Sequence, residues 1–250
     1  MKFPLNLTFG SLEIDSHLLF EILAYSIGFR YYLSLRKKYS DPISNENRIW
    51  IFIGAVAGAL IFSRVLGIIE NFPVISSGNL TFIHYLSNKT IVGGLLGGLI
   101  GVEITKKIIS VKASSGDLMA YPIILGMILG RIGCFLSGLK DGTYGIASDL
   151  PWAIDLGDGI RRHPTNLYEI VFLLLLWIFL AKLEKKKLTD GAKFKIFLSG
   201  YLLFRLLIEF IKPYPALIFG LSPIQLACVA GLIYYYQVFL FPKKLMINAL

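Results

Sequence analysis

Mostly apolar stretches, each about as long as a helix that crosses a bilayer, recur along this chain and constrain its fold more than any other feature. A transmembrane helix needs about 20 predominantly apolar residues. Such stretches lie near 18–35, 50–69, 90–105, 118–137, 165–183, 195–211 and 223–241. The sequence therefore predicts an all-α, polytopic membrane protein of about seven transmembrane helices. We interpret residues 1–250 as a single integral membrane domain, because no long linker or fixed-period repeat divides them.

The glycine-rich third stretch, 90–105, is shorter than the others. It predicts a helix that is tilted, re-entrant or packed with its backbone close to a neighbour.

The distribution of the basic residues shows whether the positive charge reflects a nucleic-acid partner or the orientation of a membrane protein. The formal net charge is +9, and only 16% of the residues are charged. With alternate loops assigned to one side, 15 lysines and arginines fall on that side and 6 on the other. Cytoplasmic loops carry an excess of basic residues. The distribution predicts an N-terminus outside, a cytoplasmic C-terminus and no nucleic-acid partner.

Four arginines lie within or at the ends of the predicted spans: Arg30, Arg64, Arg131 and Arg205. An arginine at bilayer depth costs at least about 2.5–3.5 kcal/mol and is usually paired or functional. Gly130 and Gly133 lie close enough to Arg131 to let another helix or a ligand phosphate approach the backbone. A structural arginine paired with a carboxylate is the alternative.

Arg205 and Glu209 are four residues apart and therefore share one helical face. They form either a self-neutralising bridge or a guanidinium fork held ready for a lipid phosphate. His163 precedes Pro164 at the start of the fifth span, where a cap or surface role competes with a catalytic one.

Metal and cofactor sites are not predicted. Aspartates in the loop before the fifth span show no regular ligand spacing. The two cysteines, Cys134 and Cys228, are too few for a zinc cluster.

Several segments together resemble the prolipoprotein diacylglyceryl transferase family. These are 130–135, Tyr144 with Gly145, 162–169 and 205–213, which occur in the family's order. Further agreement comes from Ser63 with Arg64, from 97–102, and from Asp117 and Gln225. The likeness covers most of the chain.

The resemblance implies an enzyme of the bacterial plasma (inner) membrane. Such an enzyme moves the diacylglyceryl group of phosphatidylglycerol, or of a related phospholipid, onto the lipobox cysteine thiol in a prolipoprotein signal peptide. It implies that Arg131 and Arg205 hold the lipid phosphate. The resemblance also implies a substrate-binding set. Its members are Arg64, Gly130, Gly133, Cys134, Tyr144, Gly145 and Glu209. His163 matches the histidine of the family's Arg-His-Pro segment.

Three positions depart from the family pattern. Leu96 replaces the histidine before the glycine-rich run, Glu21 aligns with a first-span tyrosine, and Cys134 replaces an asparagine. Glu21 or His163 would then take the acceptor proton, although Glu21 is equally read as the salt-bridge partner of a neighbouring arginine. The departures leave open an enzyme that uses another acceptor or lipid, and a non-catalytic lipid-binding or transport protein.

Overall fold

The computed structural model describes residues 3–9, 12–39, 41–71, 88–213 and 220–246. A helix lies in each apolar stretch named above, although the last stretch, 223–241, divides into a 12-residue helix and a short one. In chain order these are α1 Ser16–Lys38, α2 Asn45–Glu70, α3 Ile91–Ile108, α4 Ala120–Ser137, α5 Thr165–Glu184, α6 Ala192–Ile208 and α7 Pro223–Tyr234. A short helix, α8 Gln237–Leu240, follows. Strands β1 Leu7–Phe9 and β2 Leu12–Ile14 form one antiparallel hairpin, and β3 Ile154–Asp155 and β4 Arg161–Arg162 form another.

Three of these helices are long and apolar enough to cross a membrane: α2, α4 with the 3-10 turn that extends it to Asp141, and α5. Helix α7 is a shorter apolar helix, and α3 carries Glu103, Lys106 and Lys107 near its end. Large apolar side chains remain exposed along the outer faces of α2 and α5. A surface of this kind faces lipid rather than water. The protein is a helical, polytopic membrane protein, as the sequence predicts.

Glycines bring α2 and α3 into backbone contact. A Cβ added at Gly58 would lie 2.1 Å from the carbonyl oxygen of Gly97, and one at Gly101 would lie 2.0 Å from that of Gly54. Only small residues permit such an approach. Of the alternatives open for the glycine-rich stretch, the structure therefore selects close backbone packing.

The buried core lies among α4, α5, α6 and α7. Its fully buried side chains include Ile124, Leu173, Phe197, Leu202 and Cys228. Charged side chains gather instead near the two ends of the bundle. At one end, the Asp117 carboxylate accepts from the backbone N–H groups of Gly191 and Phe194 and so caps the start of α6. The starts of α1, α3, α5 and α7 lie at the opposite end, where the candidate site forms.

Candidate lipid-phosphate site

A buried carboxylate, Glu169 of α5, lies between two buried arginines. Its Oε1 is 2.9 Å from Nε of Arg131 on α4, and its Oε2 is 3.6 Å from an η nitrogen of Arg205 on α6. The three residues are at most 5% exposed. The sequence predicts that both arginines serve one site, and the structure places them on one carboxylate.

Two further side chains complete the cluster. Arg205 donates to Glu209 Oε2 at 2.8 Å, which is the pair predicted from their spacing of four residues. The Tyr201 hydroxyl, one turn before Arg205, donates to Glu169 Oε1 at 2.8 Å. Two arginines therefore face two glutamates, and the formal charges of these four side chains balance.

The hydrogen-bonding capacity of the cluster is only partly used. Arg205 Nε, one Arg205 η nitrogen and Glu209 Oε1 have no hydrogen-bond partner among the described residues. Arg131 Nε lies close to Glu169, yet its N–H lacks the alignment of a hydrogen bond. Buried donors are normally satisfied, so open ones indicate room for a ligand with acceptor oxygens. A Cβ added at Gly130 would meet nothing within 4 Å, which leaves space beside Arg131.

Helix α7 is anchored beside this cluster by polar contacts. Its first turn carries a capping box formed by Ser222 and Gln225, and Gln225 Nε2 donates to the Leu206 carbonyl at 3.2 Å. Glu70, at the end of α2, accepts from the Ile224 N–H at 3.2 Å. These contacts fix the ends of α2, α6 and α7 around the arginines.

Glu21 lies at the same end of the bundle and is half-buried. Its Oε1 is 2.5 Å from Lys89 Nζ, and its Oε2 is 3.9 Å from His17 Nε2. The salt-bridge interpretation expected an arginine as its partner, but the partner is a lysine, because the turn before α3 brings residue 89 against α1.

The loop between α4 and α5 holds Tyr144, Gly145 and His163 together. The Gly145 N–H donates to the His163 carbonyl at 3.1 Å, and a Cβ at Gly145 would lie 2.6 Å from the His163 Cβ. His163 Nδ1 is 3.1 Å from the Tyr168 hydroxyl, which also accepts from Trp152 Nε1 at 2.7 Å. Gly145 thus serves close packing, and His163 is held in a network of aromatic side chains.

Arg162 covers the ring of Tyr144, with the guanidinium carbon 5.1 Å from the ring centroid. It also donates to both oxygens of Asp158, at 2.6 and 2.7 Å. This hydrogen bonding from Arg162 holds the pKa of the Asp158 carboxyl below its ordinary value. The loop therefore presents an ordered, charged surface beside the start of α5.

The family model for prolipoprotein diacylglyceryl transferase matches residues 4–241 of this chain. The chain belongs to this family. Proteins named phosphatidylglycerol–prolipoprotein diacylglyceryl transferase are among its relatives. The one from Dehalococcoides mccartyi strain 195 is 32% identical over 209 residues, which is 79% of this chain and 76% of that protein.

The corresponding protein of Bordetella bronchiseptica is 35% identical over 179 residues. That match covers 61% of this chain and 63% of the relative, so it spans a little under two thirds of the relative's length. The protein from Clostridioides difficile is 29% identical over 206 residues, or 80% of this chain and 79% of that protein. The predicted family and enzyme class, a transferase, are confirmed.

In this member of the diacylglyceryl transferase family, the structure distributes most of the predicted site residues over three groups and leaves Arg64 and Gly133 outside them. Arg131, Arg205 and Glu209 share the buried cluster, and the Cys134 sulfur lies 3.8 Å from an Arg131 η nitrogen. Tyr144, Gly145 and His163 form the loop group, and Glu21 lies with His17 and Lys89. Arg64 donates to the Leu60 carbonyl of its own helix at 3.2 Å. Gly133 contacts α1, where its Cβ would meet Phe20 at 2.8 Å.

Sequence reasoning did not assign a role to Glu169, Tyr201 or His17. A signal existed for Glu169, since a carboxylate inside an apolar span is costly and indicates a partner. Tyr201 is one helical turn from Arg205, and that spacing places both on one face. His17 precedes the first apolar stretch, and only the close approach of α1 to α4 gives it a site.

Proposed function

We propose that the protein transfers a diacylglyceryl group from phosphatidylglycerol to the lipobox cysteine thiol of prolipoproteins. The observation that carries the proposal is the pair of buried arginines around Glu169, with donors left open, in a chain of this family. A phosphate diester offers the acceptor oxygens that these donors lack. A pure scaffold would gain little from desolvated charge that is incompletely hydrogen-bonded.

The arginines act on the leaving group. When the acceptor sulfur attacks the terminal glycerol carbon of the diacylglyceryl moiety, a C–S bond forms and the C–O bond to phosphate breaks. The bonding electron pair leaves with the phosphate as glycerol 1-phosphate, and the thiol proton leaves separately. Arg131 and Arg205 stabilise the charge that develops on the phosphate oxygens. Glu169 and Glu209 hold the guanidinium groups in place before the lipid enters.

A base other than the family's histidine must take the acceptor proton, because Leu96 stands at that position in the resemblance described above. Glu21 is the first proposal, since it is half-exposed at the end of the bundle that holds the arginines. His163 is the second, since its ring lies at the start of α5 with Nδ1 near the Tyr168 hydroxyl. A base must come within hydrogen-bond reach of the proton that it removes.

The remaining predicted residues shape the lipid site. Gly130 leaves space beside Arg131, Cys134 borders the arginine, and Glu209 orients Arg205. Three further members complete the proposed substrate-binding set: Gly133 against α1, Arg64 near the end of α2, and the Tyr144–Gly145 pair in the loop. We place all of them in one domain over residues 1–250.

The proposed location is the bacterial plasma (inner) membrane, with the N-terminus outside and the C-terminus in the cytoplasm. The 15-to-6 distribution of basic loop residues supports this orientation. A single cysteine placed at Lys187, between α5 and α6, should react only with a membrane-permeant thiol reagent in intact cells. Reaction with an impermeant reagent would reverse the orientation.

Product analysis tests the transferase activity directly. Purified protein is incubated with labelled phosphatidylglycerol and a lipobox peptide, and mass spectrometry follows the peptide. We expect the mass of one diacylglyceryl group on the cysteine peptide and none on a control peptide with serine in its place. An unmodified peptide despite bound phosphatidylglycerol would contradict the proposal.

That second outcome would favour the other candidate function, a divergent member that uses another acceptor or only binds lipid. Leu96, Glu21 and Cys134 support it, because three polar positions of the family pattern change together in this chain.

A further inference from the structure

Three side chains of the types that bind transition metals converge beside the arginine cluster. His17 lies at the start of α1, Cys134 in the last turn of α4, and Asp141 at the end of the 3-10 turn that follows α4. One ligand atom from each lies within 4.8 Å of the other two. His17 Nδ1 is 3.1 Å from Asp141 Oδ1. Cys134 and the Asp141 side chain are at most 9% exposed, whereas the His17 side chain is 34% exposed.

Each of the three side chains also has an outer partner of the right kind. The other imidazole nitrogen of His17, Nε2, faces Glu21 Oε2 at 3.9 Å. Arg131 donates to the Cys134 sulfur at 3.8 Å. The Thr143 hydroxyl donates to Asp141 Oδ2, the oxygen that does not face His17. Metal-binding sites are built in this way, with carboxylates behind histidines and donors behind thiolates.

The fold holds these positions on helices that pack closely. A Cβ added at Gly133 would lie 2.8 Å from the Phe20 Cβ and 3.4 Å from the His17 Cα. The glycine before Cys134 therefore lets α1 come near enough for His17 to reach the cysteine. The Asp15 carboxylate accepts from the His17 N–H at 2.8 Å and fixes the first turn of α1.

We infer that His17 Nδ1, Cys134 Sγ and Asp141 Oδ1 bind a zinc ion and leave its fourth position open. Cysteine, histidine and aspartate are all zinc ligands, and three protein ligands with one open position characterise catalytic rather than structural sites. A zinc ion here differs from the absence of a metal site that the spacing of the loop aspartates and of the cysteines predicts. Neither the aspartates nor the cysteines show a ligand spacing, because the three ligands meet only in the folded helices.

The role of the ion rests on the proposed function. The acceptor thiol occupies the open position, and a thiol that coordinates zinc is deprotonated. Its proton passes to Glu21, which lies behind His17, or to water on the exposed side of His17. The bound thiolate then attacks the glycerol carbon as described above, and the phosphate leaves toward Arg131, three residues before Cys134. The ion thus supplies the activation that the histidine at the position of Leu96 would otherwise provide.

Cobalt substitution tests the site independently of turnover. Purified protein, stripped with a chelator, is titrated with Co²⁺, whose bond to a thiolate gives a near-ultraviolet charge-transfer band. We expect one Co²⁺ per chain, a band that is lost in Cys134→Ser, and a band that persists in Cys228→Ser, the matched change at the other cysteine. His17→Gln and Asp141→Asn should each weaken Co²⁺ binding at least tenfold. Elution as a single species in detergent checks that each variant is folded.

The outcomes separate the two proposals. A full band that shifts when the lipobox peptide is added supports both the site and its role. A full band with no lipid transfer to the peptide contradicts the proposed function and leaves the zinc site standing. Folded wild-type protein that gives no thiolate band, or the same band in Cys134→Ser, overturns the zinc site. Lipid transfer undiminished after chelation overturns the role in thiol activation.

Discussion

Two buried arginine clusters lie at opposite ends of the bundle, and they use their hydrogen bonds differently. Near the start of α2, Arg48 donates to both oxygens of Asp41, at 2.6 and 2.8 Å, and to the Ser115 carbonyl at 3.0 Å. Arg36 donates to the same carboxylate at 2.8 Å. Every Arg48 nitrogen has a partner, although the residue is as buried as Arg131 and Arg205.

The carboxyl group of Asp41 reflects this saturation. Burial alone would raise its pKa, but hydrogen bonds from Arg48, the Ile43 N–H and Arg36 hold the pKa below its ordinary value. The cluster joins α1, α2 and the loop that contains Ser115, and each side-chain nitrogen of Arg48 donates to an acceptor within it. Around Glu169, by contrast, nitrogens of Arg205 and an oxygen of Glu209 are open. Charged residues that are equally buried therefore differ in role: the fully hydrogen-bonded cluster indicates a structural contact, and the partly hydrogen-bonded one indicates a ligand site.

Matched arginine-to-lysine substitutions test this contrast and should give the largest effect. Lysine keeps the charge but loses the planar fork that binds phosphate with two hydrogen bonds. We expect Arg205→Lys to lower turnover about 100-fold, the cost of removing a donor to the transition state. Arg48→Lys should leave turnover within about twofold and lower the free energy of unfolding by about 1–3 kcal/mol. Product formation and thermal unfolding in detergent measure the two quantities.

The comparison fails if the two variants behave alike. If turnover in Arg48→Lys falls only in proportion to the amount of folded protein, Arg48 has a purely structural role. Loss of turnover in fully folded Arg48→Lys would make it part of the chemistry. Normal turnover in Arg205→Lys would remove the fork from the proposed leaving-group site.

The helical framework was predictable because its signal is local. Apolar stretches of bilayer length predict the helices, and a helix lies within each of them, although the last stretch is divided between α7 and α8. The backbone contact of α2 and α3 was one of three alternatives for the glycine-rich stretch. Gly97 and Gly101 permit the contact, but it also requires Gly54 and Gly58 to lie opposite them on α2. Neither the pairing of helices nor their crossing distance is encoded in a single periodic stretch.

The candidate site was predictable only in part. Arg131, Arg205 and Glu209 are visible because charge in an apolar span is costly. Their common partner Glu169 and the partner of Glu21 depend on how α4, α5 and α6 pack and on where the turn before α3 lies. The spacing of residues in a single sequence does not show which distant segments meet in the fold. It therefore could not show that the partner of Glu21 is Lys89 rather than the expected arginine.

The partly exposed ion pair of Glu21 and Lys89 raises the same question of a structural or a chemical role, with a smaller expected effect. If Glu21 only neutralises Lys89, the pair resembles other partly exposed ion pairs and contributes about 0–1 kcal/mol to stability. Removing either partner should then have the same small effect. If Glu21 takes the acceptor proton or orients His17 through Nε2, only the glutamate matters for chemistry.

Glu21→Gln and Lys89→Gln separate these cases because each removes one charge of the pair. Glutamine at position 21 keeps the shape and a hydrogen-bonding oxygen but cannot accept a proton at neutral pH. We expect Glu21→Gln to fold, to bind phosphatidylglycerol as the wild type does, and to lower turnover at least about tenfold, as loss of a group behind a metal-binding histidine does. Lys89→Gln should leave turnover within about twofold. Equal turnover in the two variants would return Glu21 to a purely structural role and leave proton transfer to His163 or to water.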